Sequence, residues 1–448
     1  MIHICLVNVN STILDMRVQM FKNIRACISE SVKISSILLL SFSLSFADSY
    51  SSHEYLSGDW NGGRKSLYDV GMDVKLSYTA EPAASVAGGY EQGATYLHNI
   101  NAQITADLQK LACIENTTFM AKFSSRNGQN LSQEYVVPSH TEDSRYVYGE
   151  YFNKSQEVYG GQKTKLVNFQ ITTQLRDDFS LDFGRLVIND YFLRSEVYCD
   201  FMSNSICGGP KGIFTPYALS AYPDATMGLH VKYNVVSMLD IHLGLFDGGW
   251  TKQEPTGFDW SLGKNGAVIT AEAQLFLKRG ATYGDNRVIK IGMNHHSGTF
   301  DSYKDDKSIS GSSTLYILAD FGIYSEKESE NQGLSIFGSY IHNLDDEIAA
   351  LNDFFNIGLV YRGLIYSRDE DKLGLNYVYA KHSKYNKYTH DFISDKVRGD
   401  ESIIELSYNM IFPYGISVMP DFQFIHNPNG SEDFDDVTVL AAKININF

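Results

Sequence analysis

At 448 residues the chain is long enough for one large domain or two ordinary ones, yet only 20% of it is charged, and Tyr (29) and Phe (26) far outnumber Pro (9). That composition suits sheet better than helix, and a mean hydropathy of −0.21 is far too polar for an α-helical membrane protein. A formal charge of −16 makes nucleic acid and anionic surfaces poor partners.

Near the amino end Lys33 precedes an apolar run, Ile34 to Phe46, which closes on Ser45-Phe46-Ala47 with small residues one and three positions before a cut. This is the layout of a secretory signal peptide, and the run is too short to span a bilayer. Residues 1–47 are therefore expected to be removed, with Met16 and Met20 as alternative starts. The removal takes four of the 37 basic and two of the 53 acidic residues, leaving 33 against 51 and a net of −18. Cys5 and Cys27 leave with the leader. In an oxidising compartment Cys199 and Cys207 lie close enough in sequence to close a small loop and form a disulfide candidate. Cys113 reads as a lone thiol, and three cysteines offer too few ligands for zinc. No metal or cofactor is implied.

Residues 48–71 form a short segment before the first strand, with Asn61 as cap of a helix from Gly62 to Asp69 and Gly71 as its stop. From Met72 the chain alternates. Met72, Val74, Leu76, Tyr78 and Ala80 oppose Asp73, Lys75, Ser77, Thr79 and Glu81, and Ile100, Ala102, Ile104 and Ala106 oppose Asn101, Gln103, Thr105 and Asp107. The pattern recurs around Gln170, around His230 and Lys232, and around Asp240 and His242. Period two places one row on each face of a strand, and the polar row keeps carrying Asn, Gln, Asp and Lys. A packed core does not tolerate such a row, whereas a water-filled lumen does.

Laid end to end, about sixteen strands are predicted: 72–82, 96–108, 117–126, 166–175, 179–189, 226–234, 239–247, 267–278, 287–294, 314–324, 333–343, 353–363, 372–381, 401–411, 415–426 and 436–448. The fold class is all-β, a transmembrane antiparallel barrel over 72–448. Connections at 176–178, 235–238 and 412–414 are short, while 127–165 and 190–225 are long. Short turns belong to the periplasmic rim and long loops to the outside, which puts the predicted helix in the periplasm. The last stretch alternates from Thr438 to Phe448, and its free edge must pair with the first strand, because lipid offers an open edge no hydrogen bonds. Tyr78, Tyr96, Tyr233, Tyr316, Tyr324, Tyr340, Tyr361, Tyr366, Tyr408 and Phe448 are candidates for interfacial girdles.

Several stretches resemble the carbohydrate-selective porin (OprB) family. Leu56-Ser57-Gly58-Asp59-Trp60-Asn61-Gly62-Gly63-Arg64, then Leu67, Gly71 and Val74 to Thr79, look like that family's opening, as does Gly88-Gly89. Phe183-Gly184-Arg185 with Asp190-Tyr191-Phe192 and Gly208-Gly209-Pro210 is similar to its third-loop region, and Asp421 to Pro428 to its penultimate strand. Asn61 departs from the family's usual Gly. The resemblance implies an outer-membrane barrel of sixteen strands that passes sugars and other small hydrophilic solutes passively, narrowed by loops folded inward.

A neutral sugar is selected by hydrogen-bonding groups spaced along the wall, each contact weak enough to release. The candidate solute-contacting residues are Lys75, Asp107, Gln170, Arg185, Arg194, Glu196, His230, Lys232, Asp240, His242, Lys290 and Arg362, with loop 190–225 as the constriction. Arg185 is awkward: strict alternation with Phe179, Leu181 and Phe183 aims it at lipid. Either a bulge at Gly184 turns it inward or it lies near the outer rim. No enzyme motif is present: His295 and His296 are adjacent and face opposite sides of a strand, and no Gly-x-Ser-x-Gly or His-Glu-x-x-His occurs. The rival from another class is a barrel acting as surface adhesin or anchor. The acid-rich chain leans toward cation preference, and both a single barrel and a homotrimer in outer-membrane lipid stay open.

Overall fold

The computed structural model describes residues 54–137, 154–158, 163–214, 219–249, 255–280, 286–326, 329–386, 399–431 and 433–448. The expected leader lies outside them. The first five strands are β1 Met72–Gly89, β2 Gly93–Asp107, β3 Thr117–Gly128, β4 Lys163–Arg176 and β5 Phe179–Leu186. There follow β6 Thr226–Val236, β7 Leu239–Asp247, β8 Ala267–Lys278, β9 Arg287–Asp301, β10 Ser308–Glu326 and β11 Ser329–Asn343. The ring is completed by β12 Leu351–Arg362, β13 Lys372–His382, β14 Asp400–Phe412, β15 Ile416–His426 and β16 Asp435–Asn447. Each strand pairs with its sequence neighbours, and β16 returns to β1, so the barrel is closed.

The seam runs antiparallel from Ser77 opposite Asn447 to Gly89 opposite Asp435, and the Phe448 N–H donates to Leu76 O at 2.8 Å. Gly88 permits the last turn of that seam: at φ 72 a Cβ there would stand 1.7 Å from Asp436 O. Helix α1, Gly63–Asp69, precedes β1, but Asn61 does not cap it. Asn61 and Gly62 both adopt left-handed backbone, and the Asp59 Oδ1 accepts the Lys65 N–H at 3.0 Å instead. Arg64 of α1 is buried between the rings of Tyr55 and Trp60, 3.8 and 4.3 Å from their centroids. Its guanidinium donates to Phe448 O at 2.7 Å and Val74 O at 3.0 Å. One side chain thus ties the helix to both strands of the seam.

The alternation read from the sequence sorts the wall into two faces. Leu243, Leu245, Ile269, Ile291, Met293, Leu375, Ile404 and Leu406 point outward and are exposed, a band that only lipid can cover. Tyr233, Tyr324, Tyr361 and Tyr408 gather toward the short-turn end, and Tyr96 and Tyr340 toward the long-loop end. Tyr316 is a correction: it faces inward, is buried, and donates its hydroxyl to Glu272 Oε2 at 2.8 Å.

Candidate functional site

Between β5 and β6, the described residues 187–214 and 219–225 turn into the barrel. Their short helical turns at Ile188–Asp190, Tyr198–Asp200 and Lys211–Phe214 present Leu193, Val197, Phe201, Met202, Ile206 and Ile213 to the inner wall, where they pack among Val268, Leu318, Phe337, Phe354, Val378 and Met419. This departs from the expectation of a polar lumen throughout: over the arc from β8 to β16 apolar residues are set into the inward row where the loop packs on it, among buried polar ones such as Thr270, Glu272, Asn356, Asn376 and Gln423. Inward glycines make the seats. A Cβ on Gly374 would stand 2.8 Å from the Phe201 ring, and one on Gly212 would stand 2.2 Å from the Phe354 side chain.

Polar pins fix the loop. The Leu193 N–H donates to Glu272 Oε2 at 2.7 Å, and the Met202 and Ser203 N–H groups converge on Glu405 Oε1 at 2.7 and 2.8 Å. Ser195 Oγ donates to Asp320 at 2.9 Å, Asn343 to Gly212 O at 3.0 Å, and Lys372 to Asp200 at 2.8 Å. Cys199 and Cys207 are disulfide-bonded within this loop.

The described residues 154–158 of a second loop, between β3 and β4, lie against β1, β15 and β16. Gln156 donates to Glu81 O at 2.5 Å and the Val158 N–H to Glu81 Oε2 at 2.9 Å, while Gln423 holds Ser155 O at 2.9 Å. Beneath it lies a buried charge cluster: Lys443 Nζ is 3.2 Å from Glu157 and 3.7 Å from Glu81, and Arg126 is 3.9 Å from Glu157. The two loops meet where the Lys154 N–H donates to Asn204 Oδ1 at 2.6 Å.

Asp190, Arg194 and Glu196 are exposed on the open side of the inward loop. Asp190 lies within electrostatic reach of Lys122 and Arg194, and Lys290 Nζ donates to Arg194 O at 2.5 Å. The Tyr222 ring faces Lys122 and Arg126, 4.5 and 4.7 Å from its centroid. Beside this opening, a cavity of about 210 Å³ is lined by Arg194, Glu196, Gln274, Lys290, Asp320 and Phe337 among others. A buried polar chain lines the adjoining wall: His230 Nδ1 is 2.8 Å from Asp182 and its Nε2 3.0 Å from His242 Nδ1, with Tyr191 stacked on His230 at 4.1 Å.

Of the residues singled out in the sequence, Lys75, Gln170, His230, Lys232, Asp240, His242, Lys290 and Arg362 all sit on the inward parity, and Arg194 and Glu196 on the inward loop. They do not converge on one place. Asp240 is paired with Arg279 at 2.6 Å near a short turn, Arg362 pairs with Glu370 at the same rim, and Lys75 pairs with Asp73 at 3.4 Å. Asp107 is a correction. It accepts from the N–H groups of Gln109 and Lys110 at 2.9 and 3.1 Å, capping the short helix α2, Leu108–Ala112, at a turn. Arg185 pairs in register with Phe169 and Met227 with no bulge at Gly184, so of its two expected placements the one near the long-loop rim is found, facing outward and away from the pore. Asp190, Tyr191, Tyr222 and Glu157 were missed as site residues because loops carry no periodicity to sort them.

A closed sixteen-stranded ring, apolar outside and narrowed by an inward loop that leaves charged side chains exposed beside it, defines a diffusion porin. The comparisons agree: a model of the carbohydrate-selective porin, OprB family, matches residues 91–448. The chain belongs to that family, and is an outer-membrane porin through which sugars diffuse. It is 26% identical over 427 residues to Porin B of Pseudomonas aeruginosa, covering 87% of this chain and 90% of that one. In fold it resembles the high pH structure of Pseudomonas putida OprB, with TM-score 0.80 and 24% identity over 90% of this chain and 100% of that one. Salmonella typhi OmpF in complex with daunomycin is more distant, at TM-score 0.51 and 12% identity over 85% and 99% of the two chains. The adhesin alternative finds no support, since the described parts of both long loops turn inward.

Proposed function

We propose that solutes are selected where the inward loop leaves its opening, by Asp190, Arg194 and Glu196 on the loop and Lys122, Lys290 and Asp320 on the wall. The observation that carries this reading is the balance of that set, three acids and three bases, of which Arg194, Glu196, Lys290 and Asp320 line a cavity of about 210 Å³. Opposed charges set a transverse field that orders water and dipolar solutes without favouring a net charge, and the donors and acceptors exchange readily with sugar hydroxyls. Despite its acid-rich chain, the channel then discriminates weakly between ions and admits neutral polyhydroxylated solutes. On the same reading residues 1–47 are removed on export and 48–71 form the periplasmic segment that seats α1.

The test is conductance in a planar bilayer. Stepwise channels are expected, with current block on adding glucose or maltose, and Glu196→Gln with Arg194→Gln is expected to weaken that block several-fold while channels still open. Unchanged block in the double variant would move the selective step elsewhere.

A further inference from the structure

Arg185 presents a problem that its neighbours solve. It lies on the outward face in register with Phe169, which is 44% exposed, yet it is itself only 2% exposed. Its cover is the stretch 255–264 between β7 and β8, which folds down over the outside of β3 to β5. Thr256 O accepts the Leu166 N–H at 2.9 Å, where a register shift between Lys122 and Phe123 bulges β4. Gly257 comes so near that a Cβ would stand 2.1 Å from Leu166 O. Phe258 rests on Phe123 and Trp260 on Phe169, with ring centroids 6.4 and 5.5 Å apart. Beneath, Arg185 Nε donates to Leu166 O at 3.3 Å, and the carboxylates of Asp224 and Asp259 are close enough to act on its charge.

The other side of this stretch is apolar and bare: Phe258, Trp260 and Leu262 are 59%, 43% and 67% exposed. We propose that residues 255–264 form a membrane-facing clasp, whose Phe258, Trp260 and Leu262 enter the interfacial zone of the outer-leaflet lipid and keep Arg185 out of it. The inference rests on the porin reading, since it needs lipid around the barrel. Lipid is the occupant because the patch continues the outward row of Phe123, Phe169 and Phe183, which lipid already covers, and because a Trp beside aliphatic groups at a rim is what the interface favours. The charges of the clasp offset each other: Asp259 pairs with Lys264, leaving a protein partner little to read. An outward Arg is tolerated poorly in the hydrocarbon and better toward the interface, so the clasp turns an unfavourable position into a covered one.

Two measurements test it. In the full chain carrying Trp60→Phe and Trp250→Phe, Trp260 is the sole indole; folded into phosphatidylcholine vesicles, it should be quenched several-fold more by lipid brominated near the headgroup end than by aqueous iodide. Strong iodide quenching, or quenching by neither together with cross-linking to a second barrel, overturns the proposal. In the second, F258S/W260S/L262S should lower the temperature at which the folded band is lost on a gel, and adding R185L should restore most of that loss. No restoration would show that Arg185 is not what the clasp shields. Sugar-blocked conductance should persist in every variant, and its absence from the unaltered protein would count against the porin reading instead.

Discussion

Lys443 of β16 reaches inward, 7% exposed, to Glu157 at 3.2 Å and Glu81 at 3.7 Å. Replacing it with Met removes the cation from a cluster in which Glu81 is fully buried and Glu157 keeps Arg126, at 3.9 Å. At an effective dielectric of ~20, the attraction across 3.7 Å is about 4.5 kcal/mol before desolvation is subtracted. Breaking a buried pair by deleting one partner costs about 3–5 kcal/mol, and because Glu157 is partly exposed and retains Arg126 the low end applies, ~3 kcal/mol. Glu81→Gln on top of Lys443→Met removes the stranded charge, so the double variant is expected to regain a coupling of about 1–3 kcal/mol. Denaturant unfolding in detergent, read by the folded and unfolded gel bands, measures both. The cluster also anchors the β3–β4 loop, so open-channel current in the single variant is expected to become noisier. A Lys443→Met variant within about 0.5 kcal/mol of the parent, the range of an ordinary surface change, with no gain from Glu81→Gln, would refute this account of the cluster.

Arg64→Ala loses the bonds to Phe448 O and Val74 O and both aromatic contacts, and by ~1.5–3 kcal/mol for a charged hydrogen bond plus ~0.5–1 for an exposed cation–π contact the seam should weaken by about 3 kcal/mol; Arg64→Lys, which lacks the fork, should recover less than half in the same gel assay. Phe201→Ala empties the seat at Gly374 and is expected to cost about 3–5 kcal/mol, with a larger and less uniform single-channel conductance as the inward loop loosens. Burial works against the charge on Asp371, in the turn before β13, but hydrogen bonds from Arg368, Tyr408 and the Ile411 N–H outweigh it and hold the carboxyl below its ordinary range. A lowered folded value means that the contribution is present above the unfolded value of about 3.9 and is lost only as pH falls through the folded one. The stability gap between the parent and Asp371→Asn should therefore be full at neutral pH and close under strong acid; a gap independent of pH would contradict this.

The strands were legible because lipid and water impose opposite demands on the two faces of one sheet, and a period of two survives any amount of local variation. Ser77, Thr79, Asn101, Gln103, Gln170 and Lys232 fell where the alternation put them. Even Arg185 announced itself, since a strand that reads Phe179, Leu181, Phe183, Arg185 cannot be uniform on its outer face; what the sequence did not carry was the cover, which arrives from a loop some seventy residues downstream. Asp107 and Tyr316 were misread for related reasons. A carboxylate at the end of a strand is as useful to the following turn as to the lumen, and a tyrosine at a wall position seats under a loop when an acid such as Glu272 is in reach of its hydroxyl.

The inward loop explains why the polar row of the later strands is interrupted. Val378, Ile403, Met419, Val437 and Val439 face inward and are buried, which no water-filled tube would select, yet Glu405 and Lys443 sit among them. The two kinds of residue serve one purpose. Apolar contact holds the loop down without specifying its position, since hydrophobic burial is non-directional, whereas Glu405 accepting two successive N–H groups at 2.7 and 2.8 Å fixes the loop in register along the wall. Where the loop leaves the wall uncovered, Asn101, Gln103, Lys122 and Thr172 on β2 to β4 and Lys290 and Asp320 on β9 and β10 stay partly exposed. The width of the opening is then a property of how the loop is seated, and substitutions at buried wall positions that no solute touches should alter transport as readily as substitutions at the opening itself.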